Sequence, residues 1–126
     1  MGTSLSVSWH DYKHPEVAPR TDRPPTFDPL YGFPQGRKVR EMKATWEEMD
    51  AARLNAGERD YCAHLLIDFK ACQRKYAPFA GHACEHARHV YDECEYEDHL
   101  IRLKEYERER RLLQRKKRKE AKAGVA

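Results

Sequence analysis

The sequence predicts an all-α protein: a disulfide-stapled antiparallel helical hairpin with an extended Pro-rich N-terminal arm, one preceding helix and a long charged C-terminal helix. Three observations predict it. Four cysteines, Cys62, Cys72, Cys84 and Cys94, stand in a twin C-x9-C pattern. Six of the seven prolines lie between Pro15 and Pro34. From residue 38 onward, apolar residues recur at helical rather than alternating spacing. The 126 residues suffice for one domain, and with 36% charged residues and a mean hydropathy of −0.99 they offer little for a deep core. Covalent staples are therefore expected to carry much of the stability.

Residues 1–37 form the arm. Each proline fixes its own φ and pushes the preceding residue towards extended backbone, so no regular structure is expected there. Trp9, Tyr12, Phe27, Leu30, Tyr31 and Phe33 punctuate it. Aromatic residues on an extended segment imply that it lies on a surface, its own or a partner's.

Residues 38–56 read as an amphipathic helix with a narrow seam of Val39, Met42, Trp46, Met49 and Arg53, ended by Gly57. Asn55 followed by Glu58 resembles a capping box that opens the next helix. Residues 57–101 form the hairpin. Its first helix, to Tyr76, presents Cys62, Leu65, Leu66, Phe69, Cys72 and Tyr76, and Pro78 with Gly81 marks the turn. Its second, from near His82, presents Cys84, Ala87, Tyr91 and Cys94. That helix continues through Leu100, Ile101, Leu103 and Tyr106 to Leu112 and Leu113. Residues 102–126 are its charged, basic continuation, fraying after Lys119. Asp98 with Arg102, and Glu107 with Arg111, are oriented as favourable i, i+4 pairs.

The cysteine spacing restricts the pairing. Ten residues of helix rise about 15 Å, whereas a disulfide requires Cα atoms within about 7 Å. Neither Cys62–Cys72 nor Cys84–Cys94 can close within one helix. A short turn between equal helices favours an antiparallel hairpin, which pairs outer with outer and inner with inner: Cys62–Cys94 and Cys72–Cys84. Each bridge contributes roughly 3 kcal/mol by loop closure. Two rival readings compete. Zinc ligands cluster as C-x2–4-C, unlike these pairs, although His82-x3-His86 is ligand-like and His64, His89 and His99 are near. Four free buried cysteines would suit a cytosolic chain, but equal spacing on two amphipathic faces argues for bridges. Catalysis finds no support: there is no C-x-x-C, no phosphate loop and no acid/base constellation. No metal or cofactor is expected.

Charge is uneven. Residues 1–57 balance, residues 58–101 carry five basic and nine acidic side chains, and residues 102–126 carry eleven and four. Such a basic end suits an acidic protein, anionic lipid or nucleic acid. Arg115, Lys116, Lys117, Arg118 and Lys119 form the basic contact patch. No nucleic-acid fold accompanies them, so protein or lipid contact is favoured. No apolar run approaches the ~20 residues of a membrane span. The opening residues resemble neither a secretory signal nor an Arg-rich presequence, so entry into an organelle would need another route.

The twin C-x9-C hairpin resembles the coiled-coil–helix–coiled-coil–helix family of the mitochondrial intermembrane space. Within it, three segments look like the beta-subcomplex subunit 7 family of NADH:ubiquinone oxidoreductase, respiratory complex I. They are PTFDPLYGFP at residues 25–34, RDYCAHLLI at 59–67 and KEYERERRLLQRKKRK at 104–119. The resemblance implies a non-catalytic accessory subunit of the complex, peripheral on the intermembrane-space side of the inner membrane, with other membrane-arm subunits as partners. It also implies import through the disulfide relay, guided by the apolar face of Leu65, Leu66 and Phe69 beside the cysteines. The chain opens with Met1-Gly2-Thr3-Ser4-Leu5-Ser6, the N-myristoylation pattern at Gly2, as the resembled family does. One acyl chain binds membranes only marginally, so a second contact would be needed.

Two other functions remain to be separated from this one. A free assembly factor of the same fold would not migrate with a large membrane complex. A basic nucleic-acid-binding module would keep its cysteines reduced and bind with a steep salt dependence.

Overall fold

The computed structural model describes residues 4–125. Their regular structure is wholly helical: α1 Ser4–Lys13, α2 Trp46–Ala51, α3 Ala63–Tyr76, α4 Ala80–Ala83 and α5 Glu85–Val125, with 3-10 turns at Pro15–Val17 and Ala56–Glu58. The chain divides into two compact units. One is Lys38–Ile101; the other combines the residues up to Arg37 with those from Arg102 onward.

The Lys38–Ile101 unit is a hairpin with a cap of irregular chain. Its core is small: Ala44, Met49, Leu54, Ala63 and Leu66, with Ala52, Ile67, Phe69 and Tyr91 packed against it. The helix expected over residues 38–56 is confined to α2, and the seam is not its buried face. Val39, Met42 and Trp46 are exposed and only Met49 is buried. The reason is local. Thr45 caps α2: its Oγ1 accepts from the Glu48 N–H at 3.2 Å, and its own N–H donates to Glu48 Oε2 at 2.9 Å. A reciprocal capping box starts a helix, so residues 38–44 lie outside it. The helix also stops before Gly57. Arg53 adopts the left-handed region, φ 54°, while the Arg53 and Leu54 N–H groups donate to the carbonyls of Asp50 and Met49. These are the two hydrogen bonds of a Schellman end, with Leu54 and Met49 meeting in the core as its apolar contact.

Asn55 and Glu58 engage as expected, the Asn55 N–H donating to Glu58 Oε2 at 2.9 Å, but they open a 3-10 turn rather than α3 itself. α3 ends at Tyr76, whose side chain is exposed rather than on the core face. A turn through Pro78 leads to α4, and Cys84 sits at the break before α5.

In the other unit, the first part of the arm is not extended. α1 and the Pro15–Val17 turn precede the extended stretch, because the prolines begin only at Pro15 and leave residues 4–13 free to coil. Val17 is buried; Trp9, Tyr12, Leu30, Tyr31 and Phe33 are exposed. α5 continues to Val125, past the expected fraying point at Lys119.

Candidate functional site

The two disulfides define the first site. Cys62 bonds Cys94 and Cys72 bonds Cys84, each pair with Cα atoms 5.9 Å apart, and no cysteine is free. Moving forward along α3 therefore means moving backward along α5, which makes the two antiparallel where the bridges join them. Cys62 and Cys84 are buried. With all four sulfurs in disulfides, none is a thiolate ligand, and the metal reading of the cysteines fails. His82, of the ligand-like His82–His86 pair, is fully exposed and lies 3.7 Å from Glu85.

Around the Cys62–Cys94 bridge the structure gathers groups that the sequence reading did not pair. Asp60 Oδ1 accepts from the Cys62 N–H at 3.0 Å. Potential ligand atoms of Asp60, Cys62 and Glu95 lie within 4.8 Å of one another. Glu95 Oε1 is buried without a partner. Burial first, then the hydrogen bond and charge of Asp60, push the Glu95 carboxyl up to about 7, while the Tyr91 hydroxyl partly counteracts this. Burial and these carboxylates push the Tyr91 phenol up to about 12. A disulfide sulfur is a poor metal ligand, so the cluster offers a cation only two carboxyl groups, of which Glu95 is held towards its protonated form. Its signal was present in the sequence. Asp60 stands two residues before Cys62 and Glu95 directly follows Cys94, so pairing those cysteines brings the carboxyls together.

Further polar contacts tie the irregular segments to this unit. The Arg40 guanidinium lies 3.6 Å from the Tyr61 ring centroid and bonds Asp98 at 2.8 Å. Arg59 bonds Asp50 at 2.5 Å and donates to the Leu54 carbonyl at 3.1 Å. Glu58 is held below the usual carboxylate range by the Asn55 N–H and then by Lys70, 3.1 Å away.

In the other unit, the arm is fastened to the C-terminal part of α5 by polar groups. The Tyr106 hydroxyl donates to Asp11 and the Lys117 ammonium to Glu16. The Thr26 N–H donates to Glu109 at 3.0 Å. Arg108 donates to the carbonyls of Asp28 and Tyr31 at 3.2 and 2.7 Å. Arg37 forms a two-bond pair with Glu105. Arg37 and Arg108 both also lie against the Phe33 ring, at 4.7 and 5.6 Å. Gly32 and Gly36 supply the positive φ, 84° and 79°, that turns the backbone there. The hydrogen bond from Arg37 lowers the Glu105 carboxyl, and that from Lys117 lowers Glu16 to about 2.

The predicted site residues fare differently. Leu66 is buried in the core, and Leu65 and Phe69 are half-buried beside it. The basic run is contiguous in sequence but not in space, since successive helix residues turn by about 100°. Arg115, Lys116 and Lys119 border a cleft with Phe27, Tyr31 and Leu112, whereas Lys117 and Arg118 border another with His10, His14, Val17 and Gln114. Gly2 lies outside the described residues. No helix among the described residues is long and apolar enough to cross a membrane.

Comparison with known proteins adds identity to this geometry. Residues 43–106 match the family described as NADH-ubiquinone oxidoreductase B18 subunit (NDUFB7). A Caenorhabditis elegans protein named NADH dehydrogenase [ubiquinone] 1 beta subcomplex subunit 7 is 64% identical over 123 residues, 98% of this chain and all of that protein. Proteins of the same name from Bos taurus and Mus musculus are 57% and 50% identical over 104 and 103 residues, each covering 82% of this chain and 74% of the relative.

Proposed function

From the premise that this chain belongs to the NADH-ubiquinone oxidoreductase B18 subunit family, we propose that it is a structural and assembly subunit docked on the intermembrane-space face of the membrane arm of complex I. It is an accessory subunit of the respiratory chain, associated with the mitochondrial inner membrane, and catalysis belongs to other subunits. The observation that carries the reading is the pair of disulfides, Cys62–Cys94 and Cys72–Cys84. Bridges of this kind form and persist in oxidising compartments and are rare in reducing ones, which favours the intermembrane space over the matrix.

The hairpin then acts as a rigid clip, and the arm and the C-terminal part of α5 offer charged and aromatic surface to neighbouring subunits. Import proceeds by oxidative trapping. Leu66 is buried in the folded hairpin, so Leu65, Leu66 and Phe69 can guide the relay only while the chain is still unfolded. Membrane contact is peripheral, by the basic helix surface and, if acylated, by Gly2; intact-mass measurement of the native protein checks the latter through the added acyl mass.

Protease treatment of intact and osmotically ruptured mitochondria tests the placement, combined with thiol trapping and native electrophoresis. The expected result is protection in intact organelles, degradation after outer-membrane rupture, no trappable thiols and co-migration with the megadalton complex. Persistent protection after rupture would place the protein in the matrix and end this reading. Migration as a free small protein would favour the assembly-factor alternative.

A further inference from the structure

The cleft in the unit built from the arm and the C-terminal part of α5 has a composition that the accessory role alone does not explain. Its walls are Phe27, Tyr31 and Leu112, its rim is Arg115, Lys116 and Lys119 with Glu120, and its volume is about 290 Å³. Leu112, Arg115, Lys116 and Lys119 follow i, i+3, i+4, i+7 spacing and so share one face of α5. Arg108 stands one turn before Leu112 on that face and holds the carbonyls of Asp28 and Tyr31. Thr26 is fixed to Glu109. Phe27 is therefore held between two anchored residues, and the aromatic wall is positioned by the same helix that supplies the cations. Lys116 lies 3.9 Å from Glu120, whereas Arg115 and Lys119 have no ion-pair partner among the described residues.

We propose that this cleft binds the headgroup of an anionic phospholipid at a membrane surface, with the phosphate on Arg115, Lys116 and Lys119 and the glycerol and first acyl carbons against Phe27, Tyr31 and Leu112. Charge complementarity selects the occupant. Residues 102–126 carry eleven basic and four acidic side chains, and a leaflet rich in anionic lipid attracts such a surface by about 1 kcal/mol per cation near it. The apolar walls add what a soluble anion cannot use, since burying acyl carbons is favourable only for an amphiphile. Aromatic rings beside cations are also the combination that sits well at the headgroup level. The inference deepens the peripheral contact proposed above. It is tested on the isolated chain, so it can fail while the docking reading stands, and the reverse.

The experiment is co-sedimentation of the full-length chain, both disulfides formed, with phosphatidylcholine vesicles and with mixed phosphatidylcholine–phosphatidylglycerol vesicles. Binding is expected only to the anionic vesicles. Arg115→Gln with Lys119→Gln should weaken it roughly thirtyfold. Arg74→Gln with Lys75→Gln removes the same charge from the exposed end of α3 and should cost less than about threefold. Phe27→Ala should weaken binding several-fold without changing its salt dependence. Equal losses from the two charge-matched pairs would show diffuse adsorption and overturn the site. Displacement from vesicles by inorganic phosphate at matched ionic strength would assign the cleft to a free anion. Binding to poly-glutamate but not to vesicles, lost in the Arg115/Lys119 variant, would assign it to an acidic protein. Either result overturns the lipid proposal.

Discussion

Between Lys38 and Ile101, two disulfides and a handful of apolar side chains hold the chain together. In the arm and the C-terminal part of α5, the described contacts are mostly hydrogen bonds and ion pairs: Asp11 with Tyr106, Glu16 with Lys117, Thr26 with Glu109, Arg37 with Glu105, and Arg108 with two carbonyls. Among the residues of that unit whose side chains are described, Val17 is the one large apolar residue that is buried. The difference is one of chemistry and of what each region tolerates. A covalent bridge is indifferent to salt and vulnerable to reductant, whereas an exposed ion pair is screened by salt and indifferent to reductant. A chain that is 36% charged can organise a hairpin by cross-linking it and an arm by pairing its charges, without a deep core in either.

The largest effect should come from the bridges. Replacing Cys62 and Cys94 by Ala opens a loop of sequence separation 32 and should cost about 4 kcal/mol; replacing Cys72 and Cys84, separation 12, about 3 kcal/mol. Denaturant unfolding followed by circular dichroism measures both. Reductant should melt the helicity of α3 while leaving amide exchange in the arm much less affected; uniform loss of protection would break the comparison.

The two regions should also respond oppositely to pH. Glu95 is raised to about 7, so the folded hairpin favours its protonated form. That stabilisation is complete below the unfolded value near 4.5 and is lost as pH rises through 7, an effect on the order of 3 kcal/mol. Glu105 and Glu16 are lowered by Arg37 and Lys117, so the arm gains stability above their unfolded values and loses it as pH falls through their folded ones. Glu58 adds a smaller acid-sensitive contribution inside the hairpin. Glu95→Gln should abolish the near-neutral slope seen by hairpin probes and leave the arm's acid response unchanged.

Arg108→Ala should come next. It removes two hydrogen bonds from a cation to the arm's carbonyls, worth roughly 1–2 kcal/mol, and should raise amide exchange over residues 26–37. High salt on the unmodified chain should mimic it partly. Smallest is Thr45→Ala, which loses the capping box and about 1 kcal/mol within the hairpin unit, with no effect on the arm.

Several features were legible because they depend on spacing alone. The all-helical class, the end of α3 at Tyr76 and the disulfide pairing follow from periodicity and from the distance ten helical residues span. The apolar seam through Val39, Met42 and Trp46 misled, because equal spacing predicts a shared face only if the backbone is already helical. The Thr45–Glu48 box shows that it is not helical until Trp46. The helix end was hidden for a related reason: the left-handed position is occupied by Arg53 rather than glycine, so nothing in its side chain announced it. The basic run at Arg115 to Lys119 looked like one patch because a sequence does not display which way each residue points.

What the sequence determined by itself is the set of covalent and periodic constraints: four cysteines that can close in one antiparallel register, helices wherever polar and apolar residues alternate at the helical period, and a basic end. Those are short-range properties, set by rise per residue and bond geometry. Which residues meet across long separations was decided only by tertiary structure. Arg40 with Asp98, Arg37 with Glu105, and Phe27 and Tyr31 with Leu112 are brought together by how the chain returns on itself, and no local propensity encodes that return.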